Sequence, residues 1–316
     1  MKMQFRLSLR VSENDYFNGM TKIKTYFLET RPHFLVLSVI LVLLGSAVAR
    51  FSGSFHSGHA LLCLVGILLL HSSTNVLNDY FDFKSGIDLH TQRTQFSGGS
   101  GFINSGAITP AQAFRLGLAC FFLAVPIGAY FVFSVGLRLS PLFILGALFV
   151  LLGTSHLFKA GKAVAEIAAG LGLGTLPVLG TAWILQGRID AHAVYASIPS
   201  GILVFNLLFL NEFPDAEADA MGGRKTLAIL LGLDKASVLY GILTGAVYGW
   251  ILCGVFAGIM PRLSLLSLLT LPLALKAIKG ARTHVTREKL TAAQGANVGV
   301  ILATQGLLAL GYFLAA

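Results

Sequence analysis

Charge is what this 316-residue chain has least of. Asp, Glu, Lys and Arg together make up 12% of it, about half the share of an ordinary soluble domain. That scarcity excludes a solvated, charge-covered globule and a disordered chain, which needs high charge and few apolar groups. Acidic residues are scarcer still, 14 against 23 Lys and Arg. Cysteine is limited to Cys63, Cys120 and Cys253, isolated within apolar runs. No disulfide framework or thiolate metal site follows from such spacing, and small packing residues are the expected role. Residues 1–30 hold Arg6, Arg10, Glu13, Asp15, Lys22 and Lys24 without a continuous apolar core, so they are read as a basic cytoplasmic tail and not as a signal peptide.

What the chain does have is hydrophobicity, 55% of residues, in runs of about the 20 residues that cross a bilayer. Nine segments are expected, at approximately 33–51, 59–81, 110–135, 140–157, 163–186, 191–215, 236–258, 263–279 and 292–315. The fold class this predicts is all-α, a polytopic membrane protein of about nine transmembrane helices in one bundle, with residues 1–316 forming a single transmembrane domain. With the N-terminus in the cytoplasm, 19 of the 23 Lys and Arg fall on the cytoplasmic side, and only Arg50, Arg138, Arg188 and Arg262 fall opposite. This positive-inside bias sets the expected orientation. Anionic headgroups of the lipid bilayer or an anionic substrate account for the net charge of +9, and no nucleic-acid partner is expected.

Half of the acidic residues sit in two short stretches at the ends of apolar runs. One reads Asn75-Val-Leu-Asn78-Asp79-Tyr-Phe-Asp82-Phe-Lys84-Ser-Gly-Ile-Asp88, the other Asn211-Glu212-Phe-Pro-Asp215-Ala-Glu217-Ala-Asp219. Ionisable groups at that depth are costly and call for a function or a partner. At helical pitch Asn75, Asp79 and Asp82 share one face, and Asn211, Asp215 and Asp219 repeat the spacing. Both clusters are predicted to open toward the cytoplasm. Each is followed by a basic, flexible loop: 83–109 with Arg93 and Ser97-Gly-Gly-Ser-Gly101, and 216–235 with Gly222-Gly223-Arg224-Lys225-Thr226. The two units lie about 136 residues apart, Asp79 to Asp215, as a duplicated half would.

Carboxylates alone repel an anion. With Mg²⁺ they attract one, because Mg²⁺ takes one or two carboxylates and completes its shell with water and phosphate oxygens. Arg and Lys then neutralise the outer oxygens. Diphosphate held at the mouth of an apolar bundle implies a lipid diphosphate, and the natural chemistry is ionisation, with a water-poor cavity protecting the allylic cation.

Asn78-Asp79-x-x-Asp82 with Asp88, and Asp215-x-x-x-Asp219 with Gly223-Arg-Lys-Thr-Leu227, resemble the two aspartate-rich motifs of the UbiA-type intramembrane prenyltransferases. The resemblance spans the chain, Arg31-Pro32 at the first helix included, and is strongest to the 1,4-dihydroxy-2-naphthoate polyprenyltransferase (menaquinone) branch. It implies Mg²⁺-dependent transfer of a polyprenyl group from polyprenyl diphosphate to an aromatic acceptor. Asp79, Asp82, Asp215 and Asp219 would be the catalytic and metal-holding residues. Asn75, Asn78, Asp88, Arg93, Lys159, Lys162, Asn211, Arg224 and Lys225 would contact substrate. Asp82 and Asp88 are six apart, whereas many ubiquinone-type members space them at four, which favours the naphthoate branch. Other acceptors of the family are 4-hydroxybenzoate, homogentisate, a porphyrin or a glycerol lipid.

Two readings from other classes compete. A secondary transporter would place its carboxylates near midplane on interrupted helices, and these lie at helix ends. A CDP-alcohol phosphotransferase would need an Asp-Gly-x-x-Ala-Arg string, which is absent from the sequence. Several further polar residues have structural expectations: Glu166 in an ion pair with Lys162 or at the acceptor site, His71 and His156 hydrogen-bonded, Gln294 and Asn297 bonding between helices. Gly170-x-Gly172-x-Gly174 is read as a close-packing stretch.

Overall fold

A computed structural model describes residues 21–86, 99–154, 163–221, 225–283 and 287–316. Among these residues the regular structure is entirely helical. Eight helices are long and apolar enough to cross a bilayer, and a ninth apolar helix, Leu137–Leu151, is shorter. The nine expected segments correspond to these nine.

The chain begins with a short helix α1 (Lys22–Glu29), followed by α2 (Pro32–Phe51), α3 (Ser57–Ser85) and α4 (Pro110–Ser134). Next come α5 (Ser140–Gly153), then α6 (Val164–Ala169), a π-helical turn (Gly170–Thr175) and α7 (Leu176–Gln186) as one span. After α8 (Ala191–Asn211) come two short helices, α9 (Ala216–Met221) and α10 (Leu227–Leu231). The chain closes with α11 (Leu233–Phe256), a 3₁₀ stretch (Arg262–Thr270) leading into α12 (Leu271–Arg282), and α13 (Arg287–Leu314).

Helix limits follow local chemistry. The α3 helix runs four residues beyond its apolar segment and stops at Gly86, whose left-handed φ of 74° only glycine adopts at no steric cost. Thr109 and Gln112 form a reciprocal capping box ahead of Pro110 at the start of α4. Asp190 caps α8 by accepting the Ala193 N–H at 2.8 Å and also takes the Ser52 hydroxyl at 2.7 Å.

Helices α2, α8, α11 and α13 share the largest core, built from residues such as Leu41, Leu44, Leu203, Val247, Val300 and Tyr312. Large apolar side chains also cover the outside: Phe133 is 84% exposed and Phe256 87%. On a soluble protein such a surface would aggregate, whereas lipid tails accept it without cost. One set of polar groups inside the spans is matched across helices. Asn297 accepts the Tyr240 hydroxyl at 2.9 Å and donates to the Asn206 carbonyl, and Asn206 donates to Thr244. Gln294 departs from expectation: it is fully buried, and both of its side-chain polar atoms lack a hydrogen-bond partner.

The Gly170–Thr175 turn packs as its composition suggests. A Cβ on Gly174 would meet the Ser200 carbonyl oxygen at 2.6 Å, and one on Gly170 the Gly201 oxygen at 2.9 Å. Only glycine lets this span and α8 approach so closely. The three cysteines are free, Cys63 and Cys120 buried and Cys253 exposed.

Candidate active site

Both acidic stretches reach one cavity of about 350 Å³. Its wall takes Asn75, Asn78 and Asp82 from α3, and Asn211, Glu212, Asp215 and Asp219 from the end of α8 through the turn into α9. The wall is apolar further in. Along α3 alone the lining runs from Ile67 to Asp82, about 22 Å at helical rise. Leu37, Phe149, Leu173, Leu207 and Leu302 complete the inner part from five other elements. A polar mouth above an apolar interior suits an amphiphile whose charged head stays at the mouth.

On α3 the cluster is part of one uninterrupted helix, which fixes the direction of every side chain. Asn78 donates to Asp82 Oδ2 at 3.1 Å, and Asn75 donates to the Thr30 carbonyl at 2.9 Å. Asp79, expected with Asp82 as a metal ligand, is buried at 2% exposure. Its Oδ1 lies 3.0 Å from Arg31 Nη2, and its Oδ2 accepts the Ser100 N–H at 2.7 Å. The Ser100 hydroxyl in turn donates to Glu29, which is fully buried. Arg31 joins α1 to α2 with a left-handed φ of 55°, unusual for a residue with a Cβ. Its side chain lines the cavity. Asp79 thus holds Arg31 at the mouth from behind the wall.

The second cluster shares the Asn-to-Asp i, i+4 spacing on a different backbone. Its apolar segment, expected to 215, ends as a helix at Asn211. Pro214 is the cause: it has no N–H for the helical ladder, and its ring crowds the preceding turn. Phe213 bonds back to Leu210 and Asp215 to Glu212 in tight turns, and α9 then starts with Asp219 N–H bonded to the Asp215 carbonyl at 2.8 Å. Phe213, 2% exposed, anchors the break by an edge contact with Phe209. Asn211 Oδ1 is buried without any hydrogen-bond partner.

The described charged side chains of the wall are Arg31 against Asp82, Glu166, Glu212, Asp215 and Asp219. Among the described residues no three His, Cys, Asp or Glu side chains are grouped closely enough to form a metal centre on their own. Of the basic residues expected at the site, Lys225 is exposed and outside the wall. Asp88, Arg93, Lys159, Lys162 and Arg224 lie outside the described residues, as does His156.

Sequence reasoning missed several residues. Glu29 carries no motif signal, Ser100 is marked only as part of the Ser97–Gly101 run, and Arg31 stands out in the sequence only by its place before Pro32. His71 is hydrogen-bonded as expected, its Nδ1 2.8 Å from Ser38 Oγ, but it also lines the cavity. Thr226 lines it too and caps α10.

The model of the UbiA prenyltransferase family matches residues 38–297. The chain belongs to that family. This UbiA member is 31% identical over 257 residues to the 1,4-dihydroxy-2-naphthoate octaprenyltransferase of Bacillus subtilis (strain 168), a match covering 79% of this chain and 80% of that one. Its fold is that of a UbiA homolog from Aeropyrum pernix K1, with a TM-score of 0.69 at 19% identity, covering 89% of this chain and 98% of the other. A UbiA homolog from Archaeoglobus fulgidus bound to DMAPP and Mg²⁺ superposes with a TM-score of 0.60 at 16% identity, covering 90% and 98%. The UbiA chain is therefore an integral, multi-pass membrane prenyltransferase.

Proposed function

We propose that this chain transfers a polyprenyl group from a polyprenyl diphosphate to 1,4-dihydroxy-2-naphthoate, with the site facing the cytoplasm. The observation that carries this reading is one cavity lined at its mouth by both acidic clusters and by apolar side chains inward. The B. subtilis relative, by its name, acts on that naphthoate, and the basic bias of the loops on the cluster side supports the orientation.

Asp82, Asp215 and Asp219 are the proposed metal ligands, with Asn75, Asn78 and Asn211 supplying amide oxygens or orienting them. Their fit to Mg²⁺ rests on two features. The unpartnered Asn211 Oδ1 is a hard oxygen donor without a protein partner. The other donors of the wall at this end are carboxylate and amide oxygens, the hard ligands that Mg²⁺ takes beside water and phosphate. Bound Mg²⁺ supplies neutralisation of the diphosphate and so favours its departure. Arg31, held by Asp79, presents its guanidinium to the outer phosphate oxygens. Asp88, Arg93, Lys159, Lys162, Arg224 and Lys225 are candidates for contact with the diphosphate. The inner wall keeps water from the allylic cation, and the carbon of the acceptor ring is held near 3–3.5 Å from it, the near-attack distance. An electron-rich hydroquinone then attacks without a dedicated nucleophile, and its carboxylate leaves as carbon dioxide.

The test is turnover by purified protein. It is expected to prenylate 1,4-dihydroxy-2-naphthoate, to lose activity in EDTA and to regain it with Mg²⁺. Full turnover in metal-free buffer overturns the metal assignment. Prenylation of 4-hydroxybenzoate or homogentisate alone, offered in competition, overturns the acceptor.

A further inference from the structure

The geometry points to Glu166 as a catalytic residue that binds a ring hydroxyl of the aromatic acceptor and takes its proton during carbon–carbon bond formation. Glu166 lies in the first turn of α6, is wholly buried, and forms part of the cavity wall. Its Oε1 accepts the N–H of Leu227, at the start of α10. Its Oε2 is buried and has no hydrogen-bond partner. A carboxylate oxygen enclosed without a donor is costly, and among the described residues it is the cavity, whose wall Glu166 forms, that offers room for one.

The backbone explains why this side chain stays in place. Immediately after α6 the span loosens into the π turn, where Gly170 and Gly174 are pressed against the carbonyls of α8. Such turns are frequent at functional sites. The same α8 ends in Asn211 and the second acidic cluster, so Glu166 has a fixed position relative to the proposed diphosphate site. The Leu227 bond holds the carboxylate from its other side. One oxygen is thereby positioned, and the other is left for a ligand.

The ligand class follows from charge. A carboxylate repels diphosphate and attracts an O–H donor, and a hydroxyarene acceptor is the O–H donor in the proposed reaction. As the ring carbon attacks, the allylic C–O bond breaks and its electron pair leaves with diphosphate. The new C–C bond forms, the hydroxyl O–H bond gives its proton to Glu166, and the ring becomes a dienone. When the substituted carbon then loses carbon dioxide, the electron pair of that bond returns to the ring, aromaticity is regained and the ring oxygen recovers the proton from Glu166.

This assignment rests on the aromatic prenyltransferase reading, and the experiment separates the two. Glu166→Gln keeps the length of the side chain and an oxygen for the Leu227 N–H but removes the base. Glu166→Asp keeps the base and shortens its reach to Leu227. With wild-type protein turning over a polyprenyl diphosphate and a hydroquinone acceptor, E166Q is expected to lower kcat about 100-fold, within the usual range for a positioned general base. Polyprenyl diphosphate binding and the Mg²⁺ requirement are expected to stay unchanged, and E166D to retain more activity than E166Q. A purely structural tie to Leu227 predicts the opposite order of the two variants. That order, or near-wild-type turnover by E166Q, or loss of diphosphate binding in E166Q, overturns the assignment. Failure of wild-type protein to prenylate any aromatic acceptor instead overturns the reading beneath it.

Discussion

The two acidic clusters share residue types and i, i+4 spacing, yet they are anchored in opposite ways. The first continues a regular helix, α3, and is buttressed from outside it: Arg31 and Ser100 grip Asp79, and Thr30 accepts from Asn75. The second interrupts its helix at Asn211, is turned by Pro214, and leaves Asn211 Oδ1 without a partner. Repeated spacing therefore does not mean repeated geometry. In the first cluster one carboxylate has become a support for a cation at the mouth, while in the second the turn brings Asn211, Glu212, Asp215 and Asp219 all onto the wall.

The comparison breaks if Asp82 and Asp215 prove dispensable. Asp82→Ala and Asp215→Ala each are expected to lower kcat about 10³-fold, the loss of roughly 4 kcal/mol of charge stabilisation at the departing diphosphate. The melting temperature in detergent is expected to stay close to that of wild type, because neither change removes core volume. Steady-state prenyl transfer beside thermal melts checks both, and a rate near wild type in either variant removes that residue from the site.

Asp79 sharpens the contrast. Asp79→Ala strips a buried partner from Arg31, so it is expected to cost about 3 kcal/mol of stability, with a fall in kcat of about 100-fold through the misplaced guanidinium. Denaturant unfolding in detergent reads the first number. A variant as stable as wild type with abolished Mg²⁺ binding would instead make Asp79 a metal ligand like its neighbours.

The smallest expected effect is at the turn. Pro214→Ala restores an N–H and permits the helix to run on past Asn211, re-aiming Asp215. Turnover is expected to fall about tenfold, since misplacement of a positioned group by about 1 Å costs one to two orders of magnitude, with stability unchanged. Undiminished kcat would show that the break is not needed for catalysis.

Legibility in the sequence differs from position to position. Helical class, the nine segments and the pairing of the two motifs were legible because bilayer-length apolar runs and isolated carboxylates have few alternative explanations. The burial of Asp79 was not legible, since it depends on Arg31 and Ser100, respectively 48 and 21 residues away. Gln294 looks like an interhelical hydrogen-bonder from its type, but whether a partner faces it is decided by packing. The early end of α8 is readable in Pro214, yet hydropathy hides it by treating Phe213 and its neighbours as more of the same run.

By itself the sequence determined what local chemistry and the solvent dictate: which stretches must be helices in lipid, where Gly86 and Pro214 stop them, and which few charges are too expensive to be incidental. The tertiary structure decided what each of those charges does. Asp79 and Asp82 are three residues apart on one helix, yet one is locked to Arg31 and the other lines the cavity. Glu166, which the sequence leaves between an ion pair and the acceptor site, is placed on the cavity wall where a π turn packs closely on α8. The reason is physical: a carboxylate's role is set by the donors within about 3 Å of its oxygens, and those donors come from chain segments whose meeting only the packed bundle specifies.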